Sequence, residues 1–66
     1  MNVTLNGKPL QLDQIDTIAG LVRHLGYQDK RIAVERNGDI VPKSQHASTP
    51  IADNDEIEIV VAVGGG

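Results

Sequence analysis

Apolar and polar residues alternate near both ends of this 66-residue chain, and between those stretches they take a helical spacing. Val3 and Leu5 alternate with Asn2 and Thr4, Asn6-Gly7 supplies the pair that favours a two-residue hairpin turn, and Leu10 and Leu12 resume the alternation. Asn2 to Leu12 is therefore expected to form a β-hairpin with one apolar face, with Pro9 where its missing N–H is not needed. Asp16 or Thr17 then offers a cap for a helix in which Ile18, Leu21, Val22 and Leu25 share one face, and Gly26 suits its left-handed end. Arg23 and His24 fall in the last turn, where positive charge complements the helix dipole. Gly20 costs the helix about 1 kcal/mol relative to alanine. Either something packs closely there or the loss is merely tolerated.

After a loop from Tyr27 to Lys30, Ile32 to Arg36 reads as a strand with Ile32 and Val34 on one face. Asn37-Gly38 is a second turn signal, and Ile40 and Val41 form a short return that Pro42 ends. Lys43 to Pro50 is an irregular polar segment in which Ser44 can begin one helical turn, and Ile51 returns to the core. Asp53-Asn54-Asp55 makes a tight turn, since asparagine takes a positive φ more cheaply than most residues. In the last strand Ile57, Ile59, Val61 and Val63 share one face, and Glu56, Glu58, Val60 and Ala62 share the other. Contact with a partner and coverage by another part of the fold are equally good accounts of Val60 and Ala62.

Hairpin, helix, strand pair and last strand describe an α+β domain with one helix lying across a mixed sheet. The boundaries expected are a folded domain over residues 1–63 and a flexible tail over residues 64–66. Gly64, Gly65 and Gly66 follow directly on a run of β-branched residues. Three glycines add nothing to a core and lose much entropy on ordering, but they can thread a channel too narrow for any Cβ. A carboxylate presented on a rigid stem is the function this arrangement suggests.

Composition narrows the choice. A chain of this length buries only about 60% of its unfolded surface, so modest stability is expected. There is no cysteine, hence no disulfide and no thiolate, which fits a cytoplasmic location. Nothing resembles an export signal or a membrane span. Net charge is −3 and Tyr27 is the sole aromatic, which disfavours nucleic acid as a partner. Asp53, Asp55, Glu56 and Glu58 gather near the C-terminus, where they either steer a basic partner toward the tail or simply solvate a strand end. His24 is read as a surface residue and His46 as a loop histidine. Neither has partners at metal-ligand or catalytic spacing, so no metal, bound cofactor or catalytic residue is expected.

Several blocks carry a resemblance: Asn6-Gly7, Thr17 opening a helix that closes at Leu25-Gly26, the run from Ala33 through Asn37-Gly38 to Val41-Pro42, and Asp55 to Ile59 ahead of Val63-Gly64-Gly65-Gly66. Together these span the chain and resemble the thiamine-biosynthesis sulfur carriers (ThiS), small ubiquitin-like β-grasp proteins. Asn54 stands where that family usually has glycine, and His46 where it often has a bulky aromatic.

The resemblance implies a carrier that is a substrate and not an enzyme. A ThiF-type adenylyltransferase would use ATP and Mg²⁺ to convert the Gly66 carboxylate to an acyl-adenylate, sulfur from a persulfide donor would displace AMP, and a ThiG-type thiazole synthase would consume the thiocarboxylate. Partner contacts are expected from Val60, Ala62 and Glu58. The chemistry itself demands activation, because an ionised carboxylate has no good leaving group. Two alternatives stand beside this: the small subunit of molybdopterin synthase, with the same tail but a pterin acceptor, and a β-grasp interaction module whose tail is inert. An enzyme is disfavoured, since no nucleophile, base pair or phosphate loop is evident.

Overall fold

Two Asn-Gly turns set the frame of the sheet. In the computed structural model, which describes residues 1–62, strand β1 (Asn2–Leu5) turns back into β2 (Lys8–Gln11), with Leu5 opposite Lys8. Asn6 and Gly7 take φ of 50° and 80°. The same turn joins β3 (Ile32–Arg36) to β4 (Asp39–Ile40), with Asn37 and Gly38 at 51° and 88°. Both central positions of such a turn need positive φ, which explains the residue pair at each. Strand β5 (Glu56–Val61) lies between the hairpins, parallel to β1 and antiparallel to β3, so the sheet runs β2-β1-β5-β3-β4. Pro9 sits on the edge strand β2, where a lost donor costs little.

Helix α1 (Ile18–His24) is short but capped at both ends. Thr17 is the N-cap, its hydroxyl accepting from the Gly20 N–H at 3.1 Å, so the cap is Thr17 and not Asp16. The remaining first-turn donors also find partners, Ile18 on the Thr49 carbonyl, Ala19 on that of His46 and Leu21 on that of Thr17. At the other end the Gly26 N–H reaches the Arg23 carbonyl and the Tyr27 N–H that of Val22, with Gly26 at φ +77°, a Schellman closure. Gly20 is a place of close packing: a Cβ there would stand 3.3 Å from Ile15 Cγ2.

The segment after β4 is more ordered than its polar sequence suggests. Pro42 is followed by a 3₁₀ turn over Lys43–Gln45, one residue ahead of the turn expected at Ser44. Strand β4 likewise comprises Asp39 and Ile40, while Val41 leaves the strand to bury its side chain and bonds back to the Val34 carbonyl. His46 is buried, with Nε2 3.2 Å from the Val41 carbonyl oxygen. His46 is thus the loop histidine expected, and its burial against the Val41 carbonyl anchors the turn.

The core between helix and sheet is wholly aliphatic. Val3, Leu12, Ile18, Leu21, Val22, Val34, Val41, Ile51, Ile57 and Ile59 form it, with Tyr27 only packed against its margin. Burial of these side chains at roughly 25 cal/mol per Å² supplies the main driving force. Val63, expected to continue the inner face of β5, lies outside the described residues, as does the expected domain boundary after it.

One polar cluster is built into this body. Asp55, 6% exposed, accepts from Arg36 Nε at 2.6 Å, from Asn37 Nδ2 at 3.0 Å and from the Ala52 N–H at 2.8 Å. Burial alone would push its carboxyl up in pKa. The bonds from Arg36, Ala52 and Asn37, with the guanidinium charge, outweigh that and hold it below the ordinary aspartate value. A lowered native pKa means that the carboxylate stabilises the fold fully above the ordinary aspartate pKa, and that this contribution disappears as pH falls through the native value. The urea midpoint should therefore hold between about pH 7 and 5 and decline below about pH 4. In Arg36→Met the decline should be clearly shallower, as followed by circular dichroism.

Candidate functional site

β5 carries both the acidic residues and the chain end, so its surroundings define the site. On its inner face Ile57 and Ile59 are buried and Val61 half-buried, while on the outer face Glu56, Glu58 and Val60 meet solvent. Val60 is 62% exposed, so no other part of the described fold covers it. Ala62 follows, also exposed, its N–H bonded to the Arg31 carbonyl at 2.8 Å. The backbone is thus held by β3 and the residue before it up to the last described residue. Gly64, Gly65 and Gly66, the expected tail and sulfur-carrying terminus, lie outside the described residues.

Strand pairing brings together residues that the linear sequence leaves apart. Glu58 stands opposite Glu35, Glu35 opposite Ile40, and Val60 opposite Ala33. Ile40 is 75% exposed. The outer face therefore presents Ile40 and Val60 on either side of a carboxylate pair, with Glu56 beside it. Ile40 and Glu35 were missed because their membership depends on register, which no single-strand pattern reveals. The acidic group expected from sequence needs correction at one member, since Asp55 is buried and paired with Arg36. Asp53 stays exposed in the turn, accepting from the Asn2 N–H at 2.7 Å, while Glu56 and Glu58 lie on the face, joined by Glu35.

Like charges directly opposite on adjacent strands destabilise a sheet, and folding alone gives no reason to keep them. Among the described residues no group of three or more His, Cys, Asp or Glu side chains is placed to hold a metal. Nor is any described helix long and apolar enough to cross a membrane.

A five-stranded mixed sheet grasping one helix, with the chain end leaving from the central strand beside an acidic and apolar face, defines the β-grasp class of carrier and modifier domains. The ThiS family model matches residues 3–66. The sulfur carrier protein ThiS of Bacillus subtilis is 38% identical over 63 residues, covering 94% of this chain and 96% of that protein. The crystal structure of a thiamine biosynthesis protein (ThiS) from Geobacter metallireducens superposes with a TM-score of 0.82 at 32% identity, covering 100% of both chains. A thiazole synthase of Paramagnetospirillum magneticum is 39% identical over 66 residues, and this chain spans only 20% of its length. The chain belongs to the ThiS family.

The opposed carboxylates give a direct test on the folded protein. Glu58→Lys should raise the urea midpoint at low salt by an amount equal to a few tenths of a kcal/mol, because it converts a repulsive cross-strand pair into an attractive one. The gain should shrink as salt is added.

Proposed function

We propose that this chain is the sulfur carrier of thiazole formation in thiamine biosynthesis, with the Gly66 carboxylate as its working group. The observation that carries the reading is the family match, which runs through residue 66 and so includes the glycine end. It is supported by the absence of cysteine, which leaves the terminal carboxylate as the place for covalently and reversibly held sulfur.

The reaction follows from the chemistry of a carboxylate. One oxygen attacks the α-phosphorus of ATP on a ThiF-type adenylyltransferase, Mg²⁺ neutralises the phosphates, and pyrophosphate leaves. A persulfide sulfur then attacks the acyl carbon and AMP departs, and reduction of the resulting acyl disulfide by a second thiol leaves the thiocarboxylate. A ThiG-type thiazole synthase takes that sulfur. In this scheme the chain is a substrate throughout, and its own contribution is position. The body offers the face of Glu58, Val60 and Ala62, widened by Glu35, Glu56 and Ile40, to a basic and apolar surface of the adenylyltransferase, while Gly64, Gly65 and Gly66 enter its channel. A match between this whole chain and about a fifth of a thiazole synthase supports the last step, because in that relative the same module is covalently joined to an enzyme of that name.

Activity and stability should separate at the tail. A misplacement of about 1 Å at the reacting oxygen can cost on the order of 100-fold in rate. Gly66→Ala should therefore form acyl-adenylate far more slowly, as read by pyrophosphate exchange, at an unchanged urea midpoint. Deletion of Gly65 and Gly66 should abolish the mass gain that marks replacement of oxygen by sulfur. A truncated protein that still gained sulfur would exclude the carrier reading in favour of an inert tail.

A further inference from the structure

The side of the molecule away from the acidic face carries charge of the opposite sign. An open groove of about 720 Å³ runs between the end of α1, the loop from Tyr27 to Arg31, and the 3₁₀ turn. Its rim bears Arg23, Lys30, Arg31 and Lys43, four of the six lysines and arginines in the chain, against the single acid Asp29. In a protein of net charge −3, this is a strong local excess of positive charge. All four side chains are exposed, and among the described residues none of them forms an ion pair. The floor is apolar, made by Ala19, Val22, Ile32 and the Tyr27 ring.

We propose that this groove is a second docking surface, which takes an acidic segment with apolar anchors from the enzyme that accepts the carrier's sulfur. The inference rests on the carrier reading. A tail used by two enzymes in turn needs each to hold the body, and the acidic outer face and the basic groove are complementary to surfaces of opposite sign. The two faces meet at the tail root, where the Arg31 carbonyl in the groove rim holds the Ala62 N–H. A partner seated in the groove is therefore beside the departing chain end while the outer sheet face stays free. The form of the groove favours a protein segment over a small phosphate. Its cations stand at the ends of flexible exposed stems around a wide mouth with an apolar floor, an arrangement that supplies steering and contact area and not a tight cradle.

The test measures binding of the intact carrier to the thiazole synthase separately from sulfur transfer. Lys30→Glu and Lys43→Glu are compared with Lys8→Glu, which makes the same change in net charge on the far edge strand. The groove variants should each weaken binding roughly 5- to 20-fold at low salt, and the loss should fade in 0.5 M salt. Lys8→Glu should stay within about 2-fold of wild type, and all three should keep wild-type urea midpoints. Methyl resonances of Ala19 and Ile32 should shift when the enzyme is added. Equal binding by groove and Lys8 variants, or an unshifted groove floor, would overturn the proposal. So would displacement of the enzyme by inorganic pyrophosphate with saturable shifts in the groove, which would make it a small-anion site. Should the thiocarboxylated wild-type protein bind the thiazole synthase yet donate no sulfur, the carrier reading fails instead, and the two failures are thus distinguishable.

Discussion

β5 is held along its length by groups that stand in for a longer sheet. β1 pairs with it only through Thr4 and Leu5 before the hairpin turns away at Asn6. At that point the Asn6 side chain takes over: its Oδ1 accepts the Ile59 N–H at 2.9 Å and its Nδ2 donates to the Ile59 carbonyl at 3.2 Å, as a neighbouring strand would. Asn37 does the corresponding work at the start of β5, accepting the Glu56 N–H at 2.8 Å while donating to Asp55. Both asparagines thus serve twice, as positive-φ turn residues and as amide clamps. Aspartate would satisfy the turn but supplies no donor, so the dual demand accounts for asparagine at both sites.

The consequence of this clamp is a fixed stem. A central strand bonded on both sides transmits the rigidity of the core to Ala62, which the Arg31 carbonyl holds at the last described step. Because the outer face of β5 is not needed for packing, it is free to carry opposed carboxylates and exposed aliphatic residues that the fold itself does not reward. Charge is then sorted by side, acidic on the open face of the sheet and basic beside the helix. A small domain without cysteine can in this way offer two distinct surfaces.

Much of this was legible in the sequence because its signals are local. The hairpins announce themselves through Asn-Gly, the helix through its i, i+3, i+4 spacing and Gly26, and β5 through strict alternation. What stayed hidden depends on contacts between distant segments. Thr17 and Asp16 are both good caps, and the choice falls to Thr17 because the fold sets the extended backbone of the cap position there, with the hydroxyl within reach of the Gly20 N–H. Asp55 looks like one more surface acid until Arg36, 19 residues away, folds onto it. His46 reads as loop and is one, but its burial against the Val41 carbonyl shows only in the fold. Ile40 and Glu35 join the outer face only once register is known, and the basic groove collects residues from three elements. The glycine end, on which the proposed function rests, is read from composition and not from folding.

The body thus holds β5 firmly to the last described residue, and the Asn6 amide does part of the holding. Native-state hydrogen exchange tests this most directly. The amides of Ile59 and Ala62 should exchange with free energies close to that of the Val34 amide in the core, and Asn6→Asp should lower protection at Ile59 by an amount equal to about 1 to 2 kcal/mol. Exchange of Ile59 and Ala62 at rates near those of an unstructured peptide, with Val34 still protected, would contradict it.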